Sequence, residues 1–353
     1  MIEMSVYLYT GGERIVGKSG VGQAIAHQRG ALRAVGLPPD ARMDRGTQVV
    51  HINTVLPDSP VMAMLARMRR KKVVYYAHST MEDFRCSFRG SNLLAPLFKQ
   101  WIRFCYRRGD VILTPTAYSQ EILQGYGLKK PIYHISNGID TEFFRPSRER
   151  RAAFREAYGL SDGERVVISV GHLMERKGIL DYIELARQMP ETRFFWFGYT
   201  DPKLIPTPVQ QAIDGAPENL TFAGFVDQAA LRDAYCGADA FAFLSHEETE
   251  GIVVLEALAC GTPTLLRDIP VYDGWLEAGR DVYMSDGVEG FARTLAGMLD
   301  GTLPDLTEQG RAVARSRSLA AVGERLREIY QSEGLMDTRK SKLAWARKSY
   351  SRT

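Results

Sequence analysis

Glu248 and Glu256 stand eight residues apart in the run Ser245-His246-Glu247-Glu248-Thr249-Glu250-Gly251-Ile252-Val253-Val254-Leu255-Glu256-Ala257-Leu258, where polar loop chemistry gives way to an apolar helix. The pattern predicts a strand over 240–244, an acidic turn, and a helix whose first-turn amides near Gly251 to Val253 are open to an anion. Glu248 falls in the turn and Glu256 about one and a half turns into the helix. A ligand with a phosphate on the helix terminus and hydroxyl groups shared between two carboxylates, each a pure acceptor when ionised, fits this spacing. A nucleotide sugar is built that way, and Thr249, Glu250, Gly251 and Ile252 join the candidate binding set. The plain alternative is an acidic cluster that favours the helix dipole, with Glu256 exposed on a later turn.

A second set of charges falls in Gly171-His172-Leu173-Met174-Glu175-Arg176-Lys177-Gly178, between a predicted strand and a predicted helix. Arg176 and Lys177 are placed to neutralise a diphosphate, or else they are surface charges on a loop. His78 ends another predicted strand, a working position in an open α/β sheet as well as a common one for a structural histidine. Asn137 lies in the tight turn Ser136-Asn137-Gly138-Ile139-Asp140, which reads as a ligand contact or as a hinge.

Residues Gly12 to Ser19 satisfy G-x-x-x-x-G-K-S after a strand, the pattern of a phosphate-binding loop. Against that reading, Ser19 is followed by Gly20-Val21-Gly22, poor material for the helix such a loop needs. None of the following strands ends in an aspartate that would hold magnesium. The alternative is a glycine-rich loop, Gly20 included, whose amides approach a diphosphate or an acceptor.

Positioning these residues requires two sheets. Strands are expected at 6–9, 49–52, 73–77, 111–114 and 132–135, then at 166–170, 194–197, 220–222, 240–244 and 264–265. Helices are expected between them at 21–34, 61–69, 94–107, 119–126, 179–188, 228–235, 252–259 and 288–299, with a helical stretch over 306–332. This alternation predicts an α/β protein of two Rossmann-like, doubly wound domains facing across a cleft. The expected division is an N-terminal domain over 1–145, a linker over 146–163, a second domain over 164–305, helices over 306–333 that pack back on the first domain, and a basic tail over 334–353.

The 353 residues suffice for two such cores, and 45% hydrophobic with 25% charged residues is a soluble composition. No apolar run approaches the ~20 residues that span a bilayer, and the N-terminus has no basic leader with an apolar core, so a cytoplasmic protein is expected. The 4 cysteines are scattered without a metal-ligand spacing. Net charge is only +3, yet cations cluster at 67–72, at 99–108 and at 339–352, which points to an anionic surface as partner and not to nucleic acid.

Taken together, the motifs and their order resemble the retaining glycosyltransferases of family 4, or group 1, of the GT-B type. The resemblance covers nearly the whole chain. It implies that Glu248 contacts the transferred sugar, Glu256 the ribose, Lys177 the diphosphate and His78 the donor sugar. Most members carry Arg where this chain has His172, a gap that Arg176 would fill. The Glu248-Thr249-Glu250-Gly251 variant, with 77–85, 94–99 and 196–200, is similar to bacterial glycolipid synthases that add glucose or galactose from UDP-sugars to diacylglycerol or its monoglucosyl form, nearest the diglycosyldiacylglycerol synthases.

The resemblance further implies catalysis by His78, Lys177 and Glu248 without a protein nucleophile and without a permanently bound cofactor. No Asp-x-Asp motif is present, so no metal is expected. Lys99, Arg103 and Arg107 recur at four-residue spacing beside Trp101 and Phe104, which suits a helix lying on anionic lipid on the inner face of the membrane, or a core helix with a solvated face. A soluble, polysaccharide-precursor acceptor and a nucleotide-binding module built on Lys18 and Ser19 are the other readings.

Overall fold

The computed structural model describes residues 5–11 and 20–335. The chain divides into two compact units. Of the described residues, the first takes those up to Thr80, then Leu97–Asp140, then Arg317–Leu335; the second takes Met81–Pro96 and Thr141–Ser316.

In chain order the strands are β1 (Val6–Tyr9), β2 (Val49–Ile52), β3 (Lys72–Tyr76), β4 (Val111–Thr114), β5 (Ile132–His134), β6 (Arg165–Val170), β7 (Thr192–Phe197), β8 (Leu220–Gly224), β9 (Ala240–Phe243), β10 (Thr264–Arg267) and β11 (Tyr283–Ser285). The helices are α1 (Gly20–Ala34), α2 (Asp58–Met68), α3 (Met81–Phe84), α4 (Ser91–Tyr106), α5 (Ala117–Gly125), α6 (Arg148–Ala157), α7 (Ile179–Gln188), α8 (Thr207–Asp214), α9 (Gln228–Gly237), α10 (Ile252–Cys260), α11 (Val288–Leu299), α12 (Thr307–Ser316) and α13 (Leu319–Ser332).

The first unit holds a parallel sheet in the order β1-β2-β3-β4-β5. Tyr7 pairs with Val50 of β2 on one side and makes a parallel bridge to Asp40 on the other. The chain therefore leaves α1, touches the outer edge of β1 at one residue, and then crosses to β2. That bridge is all that remains of the reversal a doubly wound sheet requires. Successive strand residues face opposite ways. Val49, Val74, Tyr76 and Leu113 pack with Leu32 of α1 and with Val322, Leu326 and Tyr330 of α13, while the alternate residue Tyr75 meets Tyr106 of α4 with ring centroids 5.4 Å apart. Helices thus cover both faces.

The second unit holds a parallel sheet in the order β11-β10-β9-β6-β7-β8. Phe194 and Trp196 of β7 pack with Tyr182 of α7 on one face, and Phe195 meets Phe154 and Tyr158 of the α6 region on the other. The order reverses between β6 and β9, which are direct neighbours through Val167↔Ala240 and Ile168↔Phe241.

Four expectations change. The stretch expected as a linker with a helical piece around 151–158 does hold that helix, α6, but belongs to the second unit: Ser147 caps α6 by accepting from Arg150 N at 3.3 Å, and the Arg151–Asp239 pair at 2.8 Å ties it there. Met81–Pro96 was expected in the first domain and belongs to the second unit; the division falls after Pro96, a proline inside α4 that removes one backbone hydrogen bond. The stretch 306–332 is two helices, broken where Ser318 caps α13. Of these, α12 stays with the second unit and α13 packs on α1 in the first. Helix α2 begins at Asp58, earlier than its apolar pattern indicated.

Candidate active site

In an open α/β sheet, ligands are held where strand order reverses, outside the carboxyl ends of the strands. The reversal between β6 and β9 puts the segments Gly171–Gly178 and Ser245–Gly251 side by side. Gly178 has φ +74°, and a Cβ built on it would stand 2.1 Å from the carbonyl oxygen of Leu244. Only glycine lets the first segment press this closely onto the exit of β9. The amide of His246 then donates to the Arg176 carbonyl at 2.8 Å, and Ser245 Oγ lies 3.2 Å from the same oxygen.

On this scaffold Lys177 Nζ donates to Glu248 Oε1, and Ser245 Oγ donates to the same oxygen at 2.6 Å. Burial works to raise the Glu248 pKa, but the Lys177 ammonium and the Arg176 guanidinium outweigh it and hold the carboxyl below its ordinary range. Burial likewise pushes Lys177 down, against the pull of Glu248. Arg176 is buried as well: Nη1 lies 2.8 Å from Asp83 Oδ1 and 2.8 Å from the Glu247 carbonyl, and Nε donates to Ser87 Oγ at 3.1 Å. Burial raises the Asp83 carboxyl against those two cations. The diphosphate role that sequence reasoning offered Arg176 therefore meets a guanidinium already engaged by three oxygens. His172 lies at the edge of the site, its Nδ1 2.8 Å from the Tyr199 carbonyl, and burial lowers its pKa.

Helix α10 starts at Gly251, which caps it at φ +87°. Ile252 follows, and Glu250 is buried at the approach. Glu256 is not exposed, contrary to the plain alternative. It is 2% exposed, accepts from the Tyr235 hydroxyl at 2.9 Å, and is pushed up to about 8 by burial. It is mostly protonated at neutral pH and so also carries a donor, where the spacing alone suggested two acceptor carboxylates.

Residues that sequence reasoning missed complete the site. Ser245 and Asp83 stood in the motifs without an assigned role. Tyr272 carried no sequence signal: its hydroxyl is fully buried, has no hydrogen-bond partner among the described residues, and would lie 3.9 Å from a Cβ on Gly251 at the N-terminus of α10.

The remaining candidates belong to the first unit. His78 follows β3, stacks on Tyr76 with centroids 4.2 Å apart, and has Nε2 3.0 Å from Asn53 Oδ1. Asn53 in turn donates to Gln28 Oε1 of α1 at 2.9 Å. Burial lowers the His78 pKa to about 3, so the ring is neutral. Asn137 is buried in its turn, where the Gly138 amide donates to Ser136 Oγ at 3.1 Å. Gly20 opens α1 at the surface, and the Gly12-to-Ser19 motif lies outside the described residues. Among the described residues, no group of three or more His, Cys, Asp or Glu is placed to hold a metal ion.

Residues 150–301 match the family described as Glycosyl transferases group 1, and residues 27–143 match Glycosyltransferase Family 4. A processive diacylglycerol alpha-glucosyltransferase of Acholeplasma laidlawii is 37% identical over 330 residues, covering 93% of this chain and 98% of that protein. The chain belongs to the group 1 glycosyltransferases. Within this family it is also similar to the alpha-galactosylglucosyldiacylglycerol synthase of Streptococcus pneumoniae, 28% identical over 76% of this chain and 73% of that protein. Among solved structures, Anabaena HepE in complex with UDP-glucose superposes with a TM-score of 0.74 at 16% identity, over 93% of this chain and 99% of that one. That likeness shows the fold, the GT-B type of two Rossmann-like units. In this chain the switch point of the second unit carries the Lys177–Glu248 pair.

Proposed function

We propose that this glycosyltransferase moves glucose or galactose from a UDP-sugar to a diacylglycerol-type glycolipid, with retention at the anomeric carbon. The observation that carries the donor half is the buried Lys177–Glu248 pair below the N-terminus of α10. A sugar–phosphate bond breaks as negative charge gathers on the departing diphosphate. Lys177 and the first amides of α10 are the groups of this site that neutralise it. In this reading Glu248 holds sugar hydroxyls and keeps Lys177 charged; Thr249 to Ile252 contact the phosphates, and Glu256 accepts from and donates to the ribose. Arg176 reaches the diphosphate through Lys177, whose loop it fixes.

His78 and Asn137, both in the first unit, are the candidates for contact with a sugar. With its single N–H given from Nε2 to Asn53 Oδ1, the neutral His78 ring offers Nδ1 as an acceptor to a sugar hydroxyl and brings no cation. The acceptor hydroxyl attacks from the face the diphosphate leaves, and a phosphate oxygen takes its proton. Neither a nucleophilic carboxylate nor a metal ion enters this scheme.

The acceptor half rests on the relatives named for diacylglycerol glycosylation and on α4. Leu97 and Phe104 of α4 are 68% and 45% exposed beside Lys99, Arg103 and Arg107. This composition suits a peripheral protein on an anionic membrane face. The test is transfer of label from UDP-glucose and UDP-galactose to diacylglycerol and monoglucosyldiacylglycerol in anionic vesicles, with a chelator present. Label in a chloroform-soluble product that Glu248→Gln abolishes is the expected result. Donor hydrolysis without a lipid product would move the acceptor to a soluble sugar, and a strict need for divalent metal would overturn the cation scheme.

A further inference from the structure

Helix α2 is built inside out. Its buried residues are Ser59, Pro60, Ala63 and Ala66, while its large apolar residues Val61, Met64, Leu65 and Met68 are 54%, 54%, 41% and 80% exposed. Positions 61, 64, 65 and 68 follow the spacing that gives a helix one continuous stripe. On a surface helix that stripe ordinarily faces the core; here small residues face the sheet and the stripe faces outward. A contiguous exposed apolar patch of this kind marks an interaction surface.

The charges at its end identify the partner. Met68 is followed by Arg69, Arg70, Lys71 and Lys72. Arg67 is paired with Asp110 at 3.1 Å, and Lys71 donates to the Arg45 carbonyl at 2.7 Å. Among the described residues, Arg69, Arg70 and Lys72 join no ion pair. The lone acid of α2, Asp58, lies at the opposite end and accepts from the Tyr9 hydroxyl at 2.8 Å. An apolar stripe ending in uncompensated positive charge is complementary to an anionic bilayer, apolar below its headgroups and negative at their level.

Backbone conformation adds an independent observation. Arg70 has φ +57°, just past the end of α2, and the amide of Lys71 returns to the Ala66 carbonyl at 2.9 Å. This is the left-handed closing position where glycine is the unstrained choice. The chain carries a cation there instead.

We propose that α2 is the lipid-insertion element of the enzyme: its outward stripe enters the boundary between headgroups and acyl chains of an anionic bilayer, and Arg69, Arg70 and Lys72 bind the headgroup anions. This rests on the membrane reading above and assigns it to a surface. The test is co-sedimentation of the full-length protein with vesicles of equal parts phosphatidylglycerol and phosphatidylcholine, free of UDP-sugar and of glycolipid. Wild type binds these and leaves pure phosphatidylcholine. Leu65→Glu combined with Met68→Glu weakens binding by about tenfold or more, since two inserted side chains become charged. Arg70→Gly weakens it by about fivefold, one cation's share, and raises the unfolding temperature because the strain is relieved.

Opposite signs from one substitution separate docking from misfolding. Variants that bind like wild type, wild type that ignores the charged lipid, or a wild-type dimer that Leu65→Glu dissociates would each overturn the assignment, the last in favour of a second copy on this face. Because no substrate is present, a wild type that binds vesicles but transfers nothing would sink the functional reading alone.

Discussion

In the second unit Asp83, Arg176, Lys177 and Glu248 bury two charges of each sign beside the ends of β6 and β9, whereas the first unit buries His27, His51 and His78, all neutral, around α1, β2 and β3. Desolvation acts on both sets: it lowers the three histidines, lowers Lys177 and raises Asp83, and it is outweighed at Glu248. Glu248 stays ionised because Lys177 and Arg176 outweigh burial, while the histidines have no carboxylate against them strong enough to do so and fall to about 4, 3 and 3. His51 is held by the Tyr330 hydroxyl at 2.9 Å, and His27 by Gln23 at 2.7 Å. The contrast suits the proposed division of labour. On that proposal the second unit keeps charge ready for a departing diphosphate, and the first unit offers neutral rings that bring no cation to a sugar.

The most severe test removes one side of the charged set. Lys177→Met strands Glu248 as a buried anion, so we expect a loss of about 3–5 kcal/mol in stability. Transfer should fall by about 10²–10³-fold. Adding Glu248→Leu removes the stranded charge and restores most of the stability with none of the activity. Urea unfolding and the transfer assay read the two effects separately. If the double variant were as unstable as the single one, the pair would be holding the fold through more than its charge balance.

Acidity and alkalinity should then damage the two units differently. A histidine whose folded pKa is lowered refuses a proton that the unfolded chain accepts below its ordinary value near 6.5, so stability falls as pH drops from there toward about 3. Glu256 is the reverse case. Its folded pKa is raised, so its contribution is full below the ordinary value of 4.5 and is lost as pH rises through about 8. Glu248, with a lowered pKa, adds stability above the ordinary carboxylate value and loses it as pH falls through its folded one. Hydrogen exchange followed by unit should show His51→Phe blunting acid loss in the first unit, and Glu256→Gln removing an alkaline loss of a few kcal/mol in the second. An identical pH dependence in both units would break the comparison.

The charged site was the more legible of the two in sequence. Strand, acidic turn and apolar helix follow one another within Ala240–Cys260, and a cation pair stands before a glycine, so local pattern alone located both loops. Local pattern does not say which core a short helix joins. Met81–Pro96 reads as part of the first half because it follows β3, yet Asp83 and Ser87 are bound to Arg176 in the second unit. Helix α8 went unread because Pro206-Thr207-Pro208 looks like a turn, although prolines are well tolerated at the start of a helix. The inverted face of α2 was hidden for another reason: apolar periodicity reports a stripe and not the direction it faces. The Tyr235–Glu256 bond and the neutral state of Glu256 depend on burial between two helices distant in sequence, and nothing in the spacing of the two glutamates encodes it.

Tyr272 offers the finest test of the charged site. Its hydroxyl is buried without a partner among the described residues beside the first turn of α10, and burial and the nearby Glu248 raise its pKa so far that it remains a donor throughout the working range. An unpaired buried hydroxyl is worth about 1–3 kcal/mol against the fold, so Tyr272→Phe should leave stability unchanged or slightly raised. If the hydroxyl meets a donor-substrate oxygen, the same substitution lowers kcat/KM for the UDP-sugar by about tenfold, one hydrogen bond's share, and leaves the acceptor KM alone. Unchanged kinetics with raised stability would show the hydroxyl to be a packing defect. A loss of stability would mean that it has a partner in the folded protein, and the site would then lack the unfilled donor that distinguishes the start of α10 from the saturated Lys177–Glu248 pair beside it.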